Sequence, residues 1–108
     1  MSVELRQRAQ HLAEVLETHG ETKCAAEVRA ALSGNTAQFE AYLRSNELWG
    51  GPGSIADQAG MREGRAQAKR LIERALIELG DEQIRAGIVN VRTASWVKAF
   101  RMWADLGL

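Results

Sequence analysis

The sequence has one cysteine and one proline, and its fourteen Lys+Arg are matched by fourteen Asp+Glu. A single cysteine closes no internal disulfide and cannot supply a thiolate set for zinc. A net charge of zero lacks the basic excess that a nucleic-acid binder uses to neutralise phosphates, so nucleic acid is not an expected partner. No apolar run approaches the roughly 18–20 residues of a membrane span. The opening MSVELRQRAQ has no basic segment followed by an apolar one, so no signal peptide is expected and the expected location is cytoplasmic. Aromatic residues make up only 6% of the chain. The 108 residues suit one domain spanning 1–108, because single cores typically hold about 100–150.

What is abundant is alanine, with seventeen residues. Alanine loses no side-chain entropy in a helix, and β-branched residues are sparse, so helix is favoured over strand. Leu5, Ala9, Leu12 and Leu16 recur at helical spacing between Ser2 and His19, with Gly20 as a stop. Thr22 is placed to cap a second helix, whose inner face carries Cys24, Val28, Ala31 and Leu32 and which Gly34 ends. Asn35 and Gln38 form a capping-box pattern ahead of Phe39, Tyr42 and Leu43. Asn46–Gly53 reads as a loop, since three of the ten glycines and the only proline occupy positions 50–53. Ser54 and Asp57 suggest a second capping box. Arg65–Leu79 is the strongest helical stretch, with Gly80 as its stop and Asp81 capping a short turn through Ala86. Ile88–Val91 reads as an extended connection packed on the core. Thr93 then caps a last helix with Trp96, Ala99, Phe100 and Trp103 on one side, ended by Gly107. The expected fold is all-α, a single compact bundle of five or six short helices with a Gly-rich loop near 50–53. The helices near 65–79 and 94–106 are expected at its centre.

Several features could carry chemistry. A Gly-rich turn before a helix can cradle an anion on its amides, which makes Gly51, Gly53 and Ser54 candidate ligand contacts. That loop lacks the Gly-Lys-Ser/Thr ending of a P-loop, and Asp57 in the first helical turn would repel an anion. The structural reading, in which Asp57 closes a cap, is the simpler one. Trp49 is either a partner-facing anchor or a lid folded onto the core, and the lid is preferred because Trp is highly buried on average. Arg62, Arg65 and Lys69 share one helix face, with Arg70 and Arg74 beside it. From Gly50 onward there are nine basic and seven acidic residues, against five and seven before it. This mild split suits either a solvated face with Lys69–Glu73 pairing or a patch for an acidic partner. Asn90, Arg92 and Thr93 form a polar island that could meet Asp57 in a ligand or catalytic site, but an Arg92–Asp57 pair holding the loop is the preferred reading.

The remaining candidates favour plain roles. His11 and His19 lie eight residues apart on one helix, roughly 80° out of phase, so they do not share a metal. Cys24 near a helix start could have a lowered pKa, but a small core residue is the simpler reading. No Gly-x-Ser-x-Gly elbow or other catalytic set is recognisable, and no catalytic residue, metal or cofactor is expected.

The run Leu48-Trp49-Gly50-Gly51-Pro52-Gly53-Ser54-Ile55-Ala56-Asp57 resembles a signature of small uncharacterised bacterial helical domains: aromatic, Gly-Gly, any residue, Gly-Ser, apolar, any residue, Asp. Some such domains are encoded near secreted toxins, so the resemblance implies an immunity-like partner. Pro52 stands where the signature carries a residue such as Met or Ala. The resemblance brings no catalytic residues. The functional expectation is therefore a non-catalytic protein-interaction module, an immunity or antitoxin-like inhibitor in its sharpest form. A small-molecule or anion-binding domain built on Gly50–Ser54 is the alternative, and an enzyme of unrecognised type ranks last. A homodimer is also compatible with an exposed Trp49 or aromatic helix.

Overall fold

The computed structural model describes residues 3–50, 54–56 and 66–107. Among them the fold is all-α. The elements are α1 (Val3–Thr18), α2 (Thr22–Ser33), α3 (Thr36–Arg44), a single turn α4 (Asn46–Trp49), α5 (Ala66–Arg85) and α6 (Thr93–Asp105).

Helix α1 buries the stripe Leu5, Ala9, Leu12, Ala13 and Leu16. It ends where Gly20 takes φ +85°. The Glu21 amide then donates to the Leu16 carbonyl (2.8 Å) and the Gly20 amide to that of Glu17 (3.1 Å), the paired closure of a Schellman motif. Helix α2 follows at once. Glu21 rather than Thr22 holds its N-cap position, and no side chain caps it. Thr22 already lies inside the first turn because the Schellman closure brings the chain straight into the next helix. Cys24, Ala25 and Val28 are buried. The Asn35–Gln38 capping box is present in both directions, each bond 2.9 Å. Phe39, Tyr42 and Leu43 of α3 then point into the core.

The segment expected to be a loop begins with a helical turn. The Ser45 hydroxyl accepts from the Glu47 amide (3.3 Å) and donates to the Tyr42 carbonyl (2.6 Å), so one residue closes α3 and opens α4. Leu48 and Trp49 are both fully buried, and their burial holds a turn that local propensity does not predict. Gly51, Pro52 and Gly53 lie outside the described residues.

Helix α5 runs twenty residues, straight through the expected stop at Gly80. Gly80 is there for space. A Cβ at that position would stand 2.4 Å from Val97 Cγ2 and 3.2 Å from the Trp49 ring, so α6 and Trp49 pack directly against the bare backbone. The true stop is Gly87, at φ +76°. A second Schellman closure runs there from the Ile88 amide to the Gln83 carbonyl (3.1 Å) and from the Gly87 amide to that of Ile84 (3.0 Å). Asp81 therefore continues α5 and caps nothing. In the connection only Ile88 is buried, while Val89 and Val91 are 72% and 86% exposed, contrary to a core-packed strip. Arg92, not Thr93, holds the N-cap position of α6, because the Thr93 hydroxyl is drawn inward.

Helix α5 packs against α1 on one side and α6 on the other, and α1 also carries α2. The centre is thus α1 with α5. Helix α6, expected beside α5 at the centre, is a flanking element whose Val97 and Phe100 complete the core.

Candidate functional site

The second half of α5 carries a polar group that its apolar stripe does not advertise. Gln83 is fully buried. Its Oε1 accepts from the Trp49 indole N–H (2.8 Å). Its Nε2 is placed to donate to the Leu43 carbonyl (3.1 Å), the Thr93 hydroxyl (3.2 Å) and the Ile88 carbonyl (3.3 Å). One amide thus joins the end of α3, the turn α4, the connection after α5 and the start of α6. The Trp96 N–H donates to the Trp49 carbonyl (3.0 Å), and the Asn90 side chain donates to the carbonyls of Arg44 and Ser45 (3.0 and 2.9 Å). This network is structural: its groups satisfy one another and none is left to meet a ligand.

Trp49 belongs to that network. Its side chain has no exposed surface, so it is the lid of the sequence reading and cannot anchor a partner. The Ser54 hydroxyl is buried and donates to the Gly50 carbonyl (2.8 Å), so it is turned inward rather than offered to an anion. Ile55 and Ala56 beside it are buried. Arg92 is exposed, and its backbone N–H donates to the Asn90 carboxamide oxygen (2.9 Å). Asp57, its expected partner, lies outside the described residues, as do Arg62 and Arg65.

Lys69 makes the expected i,i+4 pairing with Glu73, but as a part-buried side chain rather than on a solvated face. Its ammonium sits 5.4 Å from the centre of the Trp103 ring and 3.5 Å from Glu73 Oε1. At that distance the pair is ionic without a good hydrogen bond, and Oε1 has no hydrogen-bond partner among the described residues. Burial pushes the Glu73 carboxyl above the usual range, and Lys69 and Arg70 oppose the shift. Arg70 donates to the Gly107 carbonyl (2.7 Å), tying α5 to the end of α6. Glu73, Arg74, Ile77 and Phe100 help line a cavity of about 260 Å³ between these helices. Glu73 Oε1 is sealed from that cavity, which leaves it mainly apolar.

The other nucleophilic and titratable candidates are quiet. Cys24 is buried. Burial and then Glu27 raise its thiol pKa against the lowering by Lys23, the reverse of activation at a helix start. The Tyr42 hydroxyl donates to Glu27 (3.4 Å); burial first, then Glu27, hold the phenol well above its ordinary range. His11 is exposed and His19 half-buried. Among the described residues no group of three His, Cys, Asp or Glu is placed to hold a metal.

What the sequence reading did not anticipate is a groove on the far side of α5 and α6. It is open to solvent, with a volume of about 610 Å³, and is lined in part by Ile84, Ala94, Val97, Met102 and Leu106. Ile84 is 49%, Met102 52% and Leu106 66% exposed. An ion pair between Asp81 and Arg101 crosses it from helix to helix. Lys98 and Asp105 stand on its rim, exposed and without an ion-pair partner among the described residues. The signal for it existed in the sequence: Ala94, Lys98, Met102 and Asp105 share one face of α6, opposite Phe100.

No helix among the described residues is long and apolar enough to cross a membrane. No protein-family model matches the chain, and neither the curated proteins nor the solved structures contain a significant match to it.

Proposed function

We propose that this chain is a non-catalytic protein-interaction module that docks through the groove between α5 and α6. The observation that supports the reading is the open groove itself, with Ile84, Met102 and Leu106 presented to solvent inside a charged rim. Apolar side chains gathered in a groove, rimmed by charge, are the pattern that accepts an amphipathic helix. The rim charges would select orientation and partner more than they add affinity. An immunity or antitoxin-like inhibitor is the sharpest form of this proposal, and it rests on the Leu48–Asp57 signature alone. Trp49 has no part in the surface. The basic-patch version of the interface loses Lys69, which is engaged with Glu73 and Trp103.

The test is site-specific photo-crosslinking in the source cells, with the photo-reactive residue at Met102 in one sample and at exposed Gln10 of α1 in another. A discrete crosslinked protein from Met102 and none from Gln10 is expected. Equal or absent crosslinking at both positions would sink the reading.

A further inference from the structure

Lys98 and Asp105 are seven residues apart on α6, which places them about 10.5 Å apart along the axis and within about 20° of the same face. Both are exposed on the groove's rim, and neither has an ion-pair partner among the described residues. Opposite charges at that separation on one helix face are complementary to the same face turned end for end. We propose that α6 pairs antiparallel with α6 of a second copy of this chain, with Lys98 of each copy against Asp105 of the other.

The proposal rests on the interaction-module reading and names the partner of the same groove. A twofold axis that matches Lys98 to Asp105 passes between Arg101 and Met102, at the midpoint of the two charges. Met102 then lies at the centre of the contact, half-exposed in the single chain and covered in the pair. Two arginines brought near the axis would repel, but each Arg101 is already neutralised by Asp81 of its own chain. Ile84 and Leu106 flank the axis and supply the apolar surface to be buried. The interface is isologous and closes on itself, so it stops at two copies.

Sedimentation equilibrium of the purified full chain, from micromolar to millimolar concentration, tests it. A reversible monomer–dimer equilibrium is expected. Each single reversal, Lys98→Asp or Asp105→Lys, turns both ion pairs into like-charge contacts and should weaken the dimer about tenfold or more. The double variant Lys98→Asp/Asp105→Lys restores both pairs and should recover the dimer. Circular dichroism checks that each variant folds; if Asp105→Lys does not, Met102→Lys with Lys98→Asp probes the same surface, and each should separate the copies. A wild-type chain that is monomeric throughout overturns the pairing, and so does a dimer indifferent to both single reversals or not rescued by the double one. If the purified chain is monomeric while Met102 still crosslinks to another protein in cells, self-pairing fails and the module reading stands. If Met102 crosslinks to nothing in cells, the module reading itself fails.

Discussion

Gly80 and Val97 meet so closely that a single added carbon would stand 2.4 Å from Val97 Cγ2. Val97 is β-branched and cannot swing that methyl aside without leaving its preferred rotamer. Gly80→Ala should therefore destabilise the chain by about 1–3 kcal/mol, although alanine is the better helix former. Urea denaturation measures the cost. Gly80→Ala combined with Val97→Ala should cost less than the sum of the two single changes, because the second makes room for the first.

Gln83→Leu keeps the approximate volume but removes the partner of the Trp49 N–H and the donor to Leu43, Thr93 and Ile88. Buried groups left unpaired cost about 1–3 kcal/mol each, and partial relaxation brings the expected total to about 2–4 kcal/mol. The midpoint of chemical denaturation checks it. A shift no larger than that of an exposed substitution would refute the hub assignment.

Glu73 makes stability depend on pH. Burial raises its carboxyl pKa in the folded chain above the ordinary 4.5, so the native state holds the proton more tightly than the unfolded chain does. The stabilising contribution is fully present below 4.5 and is lost as pH rises through the folded value. Glu73→Gln cannot ionise. The variant should gain on the parent as the pH of denaturation is raised from acid to neutral. A constant difference between the two would show that Glu73 titrates normally.

Cys24 should resist thiol reagents in the folded chain, since it is buried and its thiolate is disfavoured. Labelling should be slow in buffer and fast in denaturant. Rapid native labelling would mean that α2 opens locally without global unfolding.

The helices were legible where one face of a short segment meets the core and a local signal marks its end. The Asn35–Gln38 box and the Gly20 stop are such signals, because each acts within a few residues. The errors share a different cause. Gly80 looks like Gly20 in a sequence, and only the presence of Val97 distinguishes a close approach from a helix stop. Thr93 looks like an N-cap until Gln83, ten residues away, claims its hydroxyl. Trp49 beside glycines admits two readings, and its partner at position 83 decides between them. The groove is not legible in the sequence because nothing in α6 alone says which face α5 leaves uncovered. Long-range partners are what a single sequence hides, and they determine the surface.

The reach of Gln83 has a consequence for the order of events in folding. Its partners Leu43 and Trp49 lie forty and thirty-four residues away, whereas the first three helices follow one another through short joints. Contacts across such separations require the larger loops to close first. The amide network should then form after the rate-limiting barrier, acting as a latch. In stopped-flow measurements, Gln83→Leu should speed unfolding and leave the refolding rate nearly unchanged, whereas Leu12→Ala in α1 should slow refolding. That uncharged side chain would then lengthen the chain's stay in the folded state without hastening its arrival there.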